Sequence, residues 1–203
     1  MNQKTLFYMA DNEATAEVSS DEAVEASQSP EEFSLSQKIA QAVGKMANLM
    51  KTEGRMSTGD LAELRRISPD RPFTPALWKL LIRIGAQQPL GGLKESTYER
   101  RMATLAMGMA FCARLHDYHV PLGRALADAG WSELRFVRLM EARGEKLEVH
   151  IRRMAQYLAS KSQAANWTDV AWLLLGQDWS TAEETRLRIS RSYYGALYAR
   201  EQE

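Results

Sequence analysis

Apolar residues recur at helical spacing in segment after segment, and this pattern most constrains the fold. In "SLSQKIAQAVGKMANLMK", Ile39, Val43, Met46 and Met50 follow one another at intervals of four, three and four residues. That spacing places side chains on one face of an α-helix. We find no alternating strand pattern of convincing length and no repeat at a fixed period. The sequence therefore predicts an all-α protein.

Local signals divide this pattern into about nine helices. Pro75 opens "PALWKLLIRIGAQ" at a natural first-turn position. Ser96 followed by Glu99 predicts a capping box for a long helix that ends near residue 115, and Ser180 followed by Glu183 predicts the same device before the last helix. The irregular stretch "LHDYHVPLG" separates two helical groups. We therefore expect an N-terminal bundle over residues 33–116 and a C-terminal bundle over residues 117–203.

Charge is distributed unevenly along the chain. The 203 residues carry 26 basic and 26 acidic side chains, so the formal net charge is zero. Residues 1–32 hold eight of the acids and only one base, Lys4, which leaves 25 bases and 18 acids in the remainder. The helical part is therefore positively charged, and a positively charged surface suits a polyanionic partner.

The N-terminal residues 1–32 have the composition of a disordered acidic tail. They are rich in Glu, Ser and Ala after the short apolar run "LFYMA", and they offer little to bury. One hypothesis is that this tethered polyanion competes with nucleic acid for the basic surface; the alternative is a solvated leader without a role. The apolar run is too short for a signal peptide, and no segment is apolar enough to span a membrane. We expect a soluble, cytoplasmic protein.

Some arginines have an acidic residue one helical turn away, and others do not. Four pairs at a spacing of four residues predict ordinary surface ion pairs: Glu148–Arg152, Glu184–Arg188, Arg124–Asp128 and Arg66–Asp70. Five arginines have no acid three or four positions away on either side: Arg65, Arg101, Arg135, Arg153 and Arg191. Nothing on their own helices neutralises these five.

Arginines also occur in adjacent pairs, at residues 65–66, 100–101 and 152–153. Arg100 and Arg101 lie in the first turns of a helix, where the positive end of the helix dipole disfavours cations. An external anion would relieve that repulsion. Together these residues predict a surface that follows a phosphate backbone; the predicted nucleic-acid-binding set is Arg65, Arg66, Arg100, Arg101, Arg135, Arg152, Arg153 and Arg191.

An enzymatic or metal-binding alternative rests on "HDYH", with Cys112 one turn before His116. The chain has only three histidines, and a zinc site would have to draw Cys112 out of an apolar helix face. We interpret Cys112 as a buried thiol. There is no glycine-flanked serine elbow and no phosphate-binding glycine loop, so we expect neither catalysis nor a cofactor nor a metal.

Seven sequence blocks, in this order and approximate spacing over residues 35–198, resemble the CasB family, the small subunit of the type I-E CRISPR complex Cascade. These blocks are "GDLAELRRI", "AFC", "PLGRALADAG", "SELRFVRLM", "VHIRRMAQYL", "WTDVAWLLL" and "RLRISRSYYGAL". The resemblance implies an all-helical, non-catalytic subunit that contacts the Cascade backbone and large subunits and a second copy of itself. It also implies contact with the phosphates of crRNA and target DNA, which stabilises the R-loop in antiviral defence.

Residue by residue, the resemblance assigns basic family positions to Arg101, Arg135, Arg152 and Arg153, and the twin-arginine motif to residues 65–66. Two features depart from the family pattern: the acidic residues of "GQDWSTAEE" before the last helix, and the acidic N-terminal stretch. An architectural role remains the alternative, in which the arginines meet acidic neighbouring proteins and not nucleic acid. The tryptophans, with Tyr193 and Tyr194, are more typical of core or interface positions than of base-stacking sites.

Overall fold

The computed structural model describes residues 30–51, 55–90, 93–176 and 181–202, with the backbone alone for residues 30–34. Within these ranges the chain is all-α, as predicted. Two isolated β-bridges occur among the described residues, Ser68 with Arg71 and His116 with Ala165. The described helices are α1 (Pro30–Lys51), α2 (Thr58–Arg65), α3 (Pro75–Ile84), α4 (Glu95–Phe111), α5 (Leu122–Asp128), α6 (Glu133–Glu141), α7 (Gly144–Ser160), α8 (Trp167–Leu175) and α9 (Thr181–Glu201).

Helix starts agree with the sequence at one predicted position and differ at another. Pro75 is in the first turn of α3, where the side chain of Thr74 caps the helix. The predicted capping box at Ser96 is wrong, because α4 already begins at Glu95 and its N-cap residue, Lys94, makes no side-chain capping bond. Ser96 therefore lies inside the first turn. The helix also ends at Phe111, before the predicted residue 115.

The N-terminal predictions fall largely on residues that are not described. Of the predicted acidic tail, residues 1–29 lie outside the described residues, and residues 30–32 belong to α1. The predicted cap Ser180 also lies outside them. Among the described helices, none combines the length and the apolar character that a membrane crossing requires.

Helix α4 forms the centre of the hydrophobic core. Its residues 101–110 are all buried, and the helix contacts α1, α2, α7 and α8. Helices on both sides of the proposed division at residues 116–117 contribute to this one core. The division into two bundles stays a prediction.

Cys112, at the end of α4, is buried as predicted, with 3% of its surface exposed. Its thiol donates a hydrogen bond to the Ala155 carbonyl oxygen at 3.3 Å. Burial raises the pKa of this thiol to about 12. The thiol is therefore a packing element between α4 and α7.

The C-terminal helices fix the segment that enters α6. Gly123 lets α5 lie directly against α9: a Cβ at this position would overlap the Ile189 carbonyl oxygen and lie 2.7 Å from the Tyr193 nitrogen. Tyr193 stacks on Phe136 of α6 at a centroid distance of 3.9 Å. Its hydroxyl donates to the Trp131 carbonyl oxygen at 2.6 Å. Helix α9 thereby holds both α6 and the turn before it in place.

Candidate nucleic-acid interface

Helices α6 and α7 enclose a groove of about 530 Å³. Arg135 and Arg138 are three residues apart on α6, and His150, Arg153 and Tyr157 follow at helical spacing on α7. Each set therefore shares one helix face, and the packing of the two helices brings the faces together. The residues lining the groove are Trp131, Arg135, Arg138, His150, Arg153, Gln156 and Tyr157.

The groove has a positively charged lining without an acidic side chain. Three guanidinium groups and one imidazole line it, and none of the seven lining residues is Asp or Glu. The pKa of His150 is lowered, first by partial burial and then by the charges of Arg153 and Arg138. The arginines would attract an anion into the groove. The negative charge of that anion would counteract the lowering of the His150 pKa by the arginines.

Aromatic rings give the groove a rigid wall. Trp131 is 4% exposed and meets the edge of Tyr157 at a centroid distance of 4.9 Å. The Tyr157 hydroxyl donates to the Ala129 carbonyl oxygen at 2.8 Å. The guanidinium carbon of Arg135 lies 5.4 Å from the centre of the Trp131 ring. This cation–π contact orients Arg135 without neutralising it.

Two of the eight predicted site residues, Arg135 and Arg153, come together in this groove. Arg138 and His150 also line it, although neither belongs to the predicted set. The sequence spacing indicates that they share a helix face with the predicted residues: Arg138 follows Arg135 by three residues, and His150 precedes Arg153 by three. Arg191 is exposed on α9 and is not among the residues that line the groove.

Arg100 and Arg101 line a different cavity, together with acidic residues of α7. Arg100 forms an ion pair with Glu145 at 2.7 Å and donates to the Pro69 carbonyl oxygen at 3.2 Å. Arg101 is only 9% exposed. Burial raises the pKa of the neighbouring Glu148, and the charges of Arg100 and Arg101 oppose that rise. This cavity is thus compensated by carboxylates of the protein itself.

Arg65 and Arg152 connect helices. The Arg65 side chain donates from Nε to the Ala110 carbonyl oxygen at 2.9 Å. Arg152 donates to the Arg65 carbonyl oxygen at 3.2 Å and lies 5.7 Å from the centre of the Phe111 ring. Burial lowers the pKa of Arg152. These contacts join α2, α4 and α7, while the neighbouring Arg66 is exposed at the end of α2.

One of the four predicted local ion pairs is confirmed, and the arginine of another has a different partner. Arg124 pairs with Asp128 at 3.5 Å, as the spacing of four predicts. Arg188 instead pairs with Asp169 of α8 at 3.0 Å. Spacing along one helix finds the first kind of contact and misses the second, because α8 and α9 meet only in the folded chain.

The metal-binding alternative involves Cys112 and His116. In the part of the chain that the structure describes, no three His, Cys, Asp or Glu side chains are grouped so that they could hold an ion. His116 Nδ1 accepts a hydrogen bond from the Trp167 backbone N–H at 3.2 Å. Burial lowers the pKa of His116. Its imidazole is thus engaged at the start of α8.

Four of the six described aromatic residues that were expected at core or interface positions are buried. Trp131, Trp167, Trp172 and Tyr193 are buried, whereas Trp78 and Tyr194 are exposed. The fifth tryptophan, Trp179, lies outside the described residues.

The fold and the groove define a class: an all-helical protein with a guanidinium-lined groove on its surface. The family model of CRISPR-associated protein Cse2 matches residues 60–194, which include the whole groove. The chain therefore belongs to the Cse2 family, also called CasB. A comparison with curated proteins finds no match.

Solved structures share the fold. CasB from Thermobifida fusca aligns with a TM-score of 0.59 and 20% identity, over 78% of this chain and 97% of that one. CasB from Thermus thermophilus aligns with a TM-score of 0.57 and 20% identity, over 83% and 100%. A chain of E. coli Cascade bound to a PAM-containing double-stranded DNA target aligns with a TM-score of 0.54 and 19% identity, over 81% and 94%. At these identities the comparisons establish a common architecture.

Proposed function

We propose that this protein is the non-catalytic small subunit of a type I-E Cascade complex and that its α6–α7 groove binds the sugar-phosphate backbone of nucleic acid. The observation that carries the proposal is the convergence of Arg135, Arg138 and Arg153 in a groove without a carboxylate. Family membership and the fold shared with a chain of DNA-bound E. coli Cascade support the assignment to that assembly.

Arginine suits this role because its planar guanidinium meets phosphate oxygens in a bidentate manner without reading the base. Sequence recognition is left to base pairing with the guide RNA. The proposed ligands are crRNA, the guide–target duplex and the displaced DNA strand, which the subunit would hold as the R-loop opens. The proposed protein partners are the backbone and large subunits and a second copy of this chain.

The proposal narrows the predicted set of arginines. Arg135 and Arg153 are the two predicted residues that line the proposed binding groove, and Arg138 and His150 line it with them. Arg100 is a weaker candidate because Glu145 already neutralises it. Arg65 and Arg152 hold helices together, so their replacement would change the fold and the surface at the same time.

The test is the salt dependence of DNA binding by the assembled complex. Arg135→Gln with Arg153→Gln should weaken binding equally for different guide–target pairs. The double variant should also flatten the plot of log K against log salt concentration by roughly 0.7 for each lost single-strand phosphate contact, or roughly 0.9 for each duplex contact. The matched control is Arg124→Gln, which removes an exposed arginine already paired with Asp128. An unchanged slope in the double variant would contradict the proposal.

The architectural alternative is favoured by one contact. Arg100 already engages a carboxylate from another helix, and a neighbouring protein can supply such a carboxylate to the groove in the same way. Arg153→Glu would then weaken assembly of the complex, and a basic substitution in the neighbouring subunit would restore it. Rescue of this kind assigns the groove to a protein partner.

A further inference from the structure

Helix α3 has a second apolar face, which the described residues leave exposed. Its core side buries Leu77, Leu80 and Leu81. On the opposite side Trp78 is 39% exposed and Ile82, four residues later, is 61% exposed. Phe73, just before the helix, is 47% exposed and stacks on Trp78 at a centroid distance of 6.3 Å. We call Phe73, Trp78 and Ile82 the α3 patch; contiguous exposed apolar groups of this kind mark interaction sites.

Basic side chains flank the α3 patch. Lys79 and Arg83 directly follow Trp78 and Ile82 on the helix. Lys79 contacts Asp60 at 3.1 Å and remains 57% exposed, and Arg83 donates to the Arg55 carbonyl oxygen, which is a neutral acceptor. The complementary ligand therefore carries apolar side chains beside carboxylates.

The chain itself contains a segment with this chemistry. Residues 6–10 read Leu-Phe-Tyr-Met-Ala, and the acids Asp11, Glu13 and Glu17 follow at once. We propose that Leu6–Ala10 dock on the α3 patch of the same molecule, with the acids that follow facing Lys79 and Arg83.

The intervening chain is long enough for this contact. Helix α1 begins at Pro30 and reaches α3 where Lys45 donates to the Ile84 carbonyl oxygen at 3.1 Å. Lys45 lies about 22 Å along the helix from Pro30, at 1.5 Å per residue. Twenty residues separate residue 10 from residue 30, and a chain of twenty residues extends to at most roughly 66 Å. The roughly 22 Å from Pro30 to Lys45 is about a third of the extended length, so the length of the intervening chain permits the contact.

Disulfide formation in the full-length chain tests the proposal. Ala10→Cys leaves the four large apolar residues intact, and Ile82→Cys places its partner on the patch. The buried Cys112 does not compete. The matched control joins Ala10→Cys to Leu134→Cys, because Leu134 is also 61% exposed but lies on α6. Under mild oxidation the intramolecular bond to residue 82 should form about tenfold faster than the bond to residue 134, as a raised effective concentration requires.

A second set of variants separates docking from simple tethering. Replacement of Leu6, Phe7, Tyr8 and Met9 by Ser should lower the rate at residue 82 to that of the control. Equal rates at residues 82 and 134 would overturn the proposal, and so would a rate that the Ser variant leaves unchanged. Disulfides that form only between two molecules would assign the patch to a second copy and would also overturn it. The experiment contains no nucleic acid, so its outcome is independent of the proposed function.

Discussion

The close approach of α5 and α9 at Gly123 gives a quantitative prediction for Gly123→Ala. The added Cβ would overlap the Ile189 carbonyl oxygen and lie 2.7 Å from the Tyr193 nitrogen and 3.0 Å from the Ser192 Cβ. Two of these neighbours are backbone atoms, which cannot rotate away, so the cost should reach the upper part of the roughly 1–3 kcal/mol typical of overpacking. The better helix propensity of Ala returns up to about 1 kcal/mol. We expect a net loss of about 2 kcal/mol in the free energy of unfolding.

Urea unfolding followed by circular dichroism measures this loss. With a slope of about 3 kcal/mol per molar urea, a loss of 2 kcal/mol lowers the midpoint by roughly 0.7 M. Gly195→Ala is the matched control, since a Cβ there has no neighbour within 4 Å and the position lies within α9. This variant should be unchanged or more stable by up to about 1 kcal/mol. If Gly123→Ala unfolds at the wild-type midpoint, the argument from backbone contact is wrong.

Three further predictions concern buried polar groups. Cys112 should react with a thiol reagent at pH 8 only as fast as the protein unfolds, because burial raises its pKa to about 12; fast labelling of native protein would contradict its burial. Tyr193→Phe should lower the free energy of unfolding by about 1 kcal/mol in urea titrations, because the buried Trp131 carbonyl oxygen loses its donor at 2.6 Å. Burial raises the pKa of folded Glu148 above 4.5, so its contribution to stability is present below pH 4.5 and is lost as pH rises through the folded-state pKa. Glu148→Gln should therefore gain stability relative to wild type between pH 4 and pH 7 in thermal unfolding, and identical pH profiles would argue against the shift.

The helices follow from the sequence because their determinants are local. The apolar spacing in α1 and α3, and Pro75 with its N-cap, depend on residues within one or two turns of each other. The boundary at Ser96 was predicted wrongly for a related reason. A capping motif has its effect only where the helix begins, and α4 begins one residue before it.

The residues that make up the candidate site could not all be predicted from the sequence, because they come together through contacts between helices. Arg135 and Arg153 are eighteen residues apart, and only the packing of α6 on α7 places both in one groove. Arg100 and Glu145 are forty-five residues apart and form an ion pair. The residues three or four positions away therefore show which arginines lack an acidic partner on their own helix, but not which arginines lack one in the folded chain.

The sequence by itself determined the all-α class, the buried position of Cys112 and the excess of positive charge outside the N-terminal stretch, because periodicity, side-chain polarity and charge are properties of neighbouring residues. Only the tertiary structure decided which arginines converge and which are neutralised. Coulomb interactions depend on distance in space, and the relevant carboxylates come from helices that are remote in the chain. The same packing divided arginines that look equivalent in sequence into the groove residues Arg135 and Arg153 and the compensated residue Arg100.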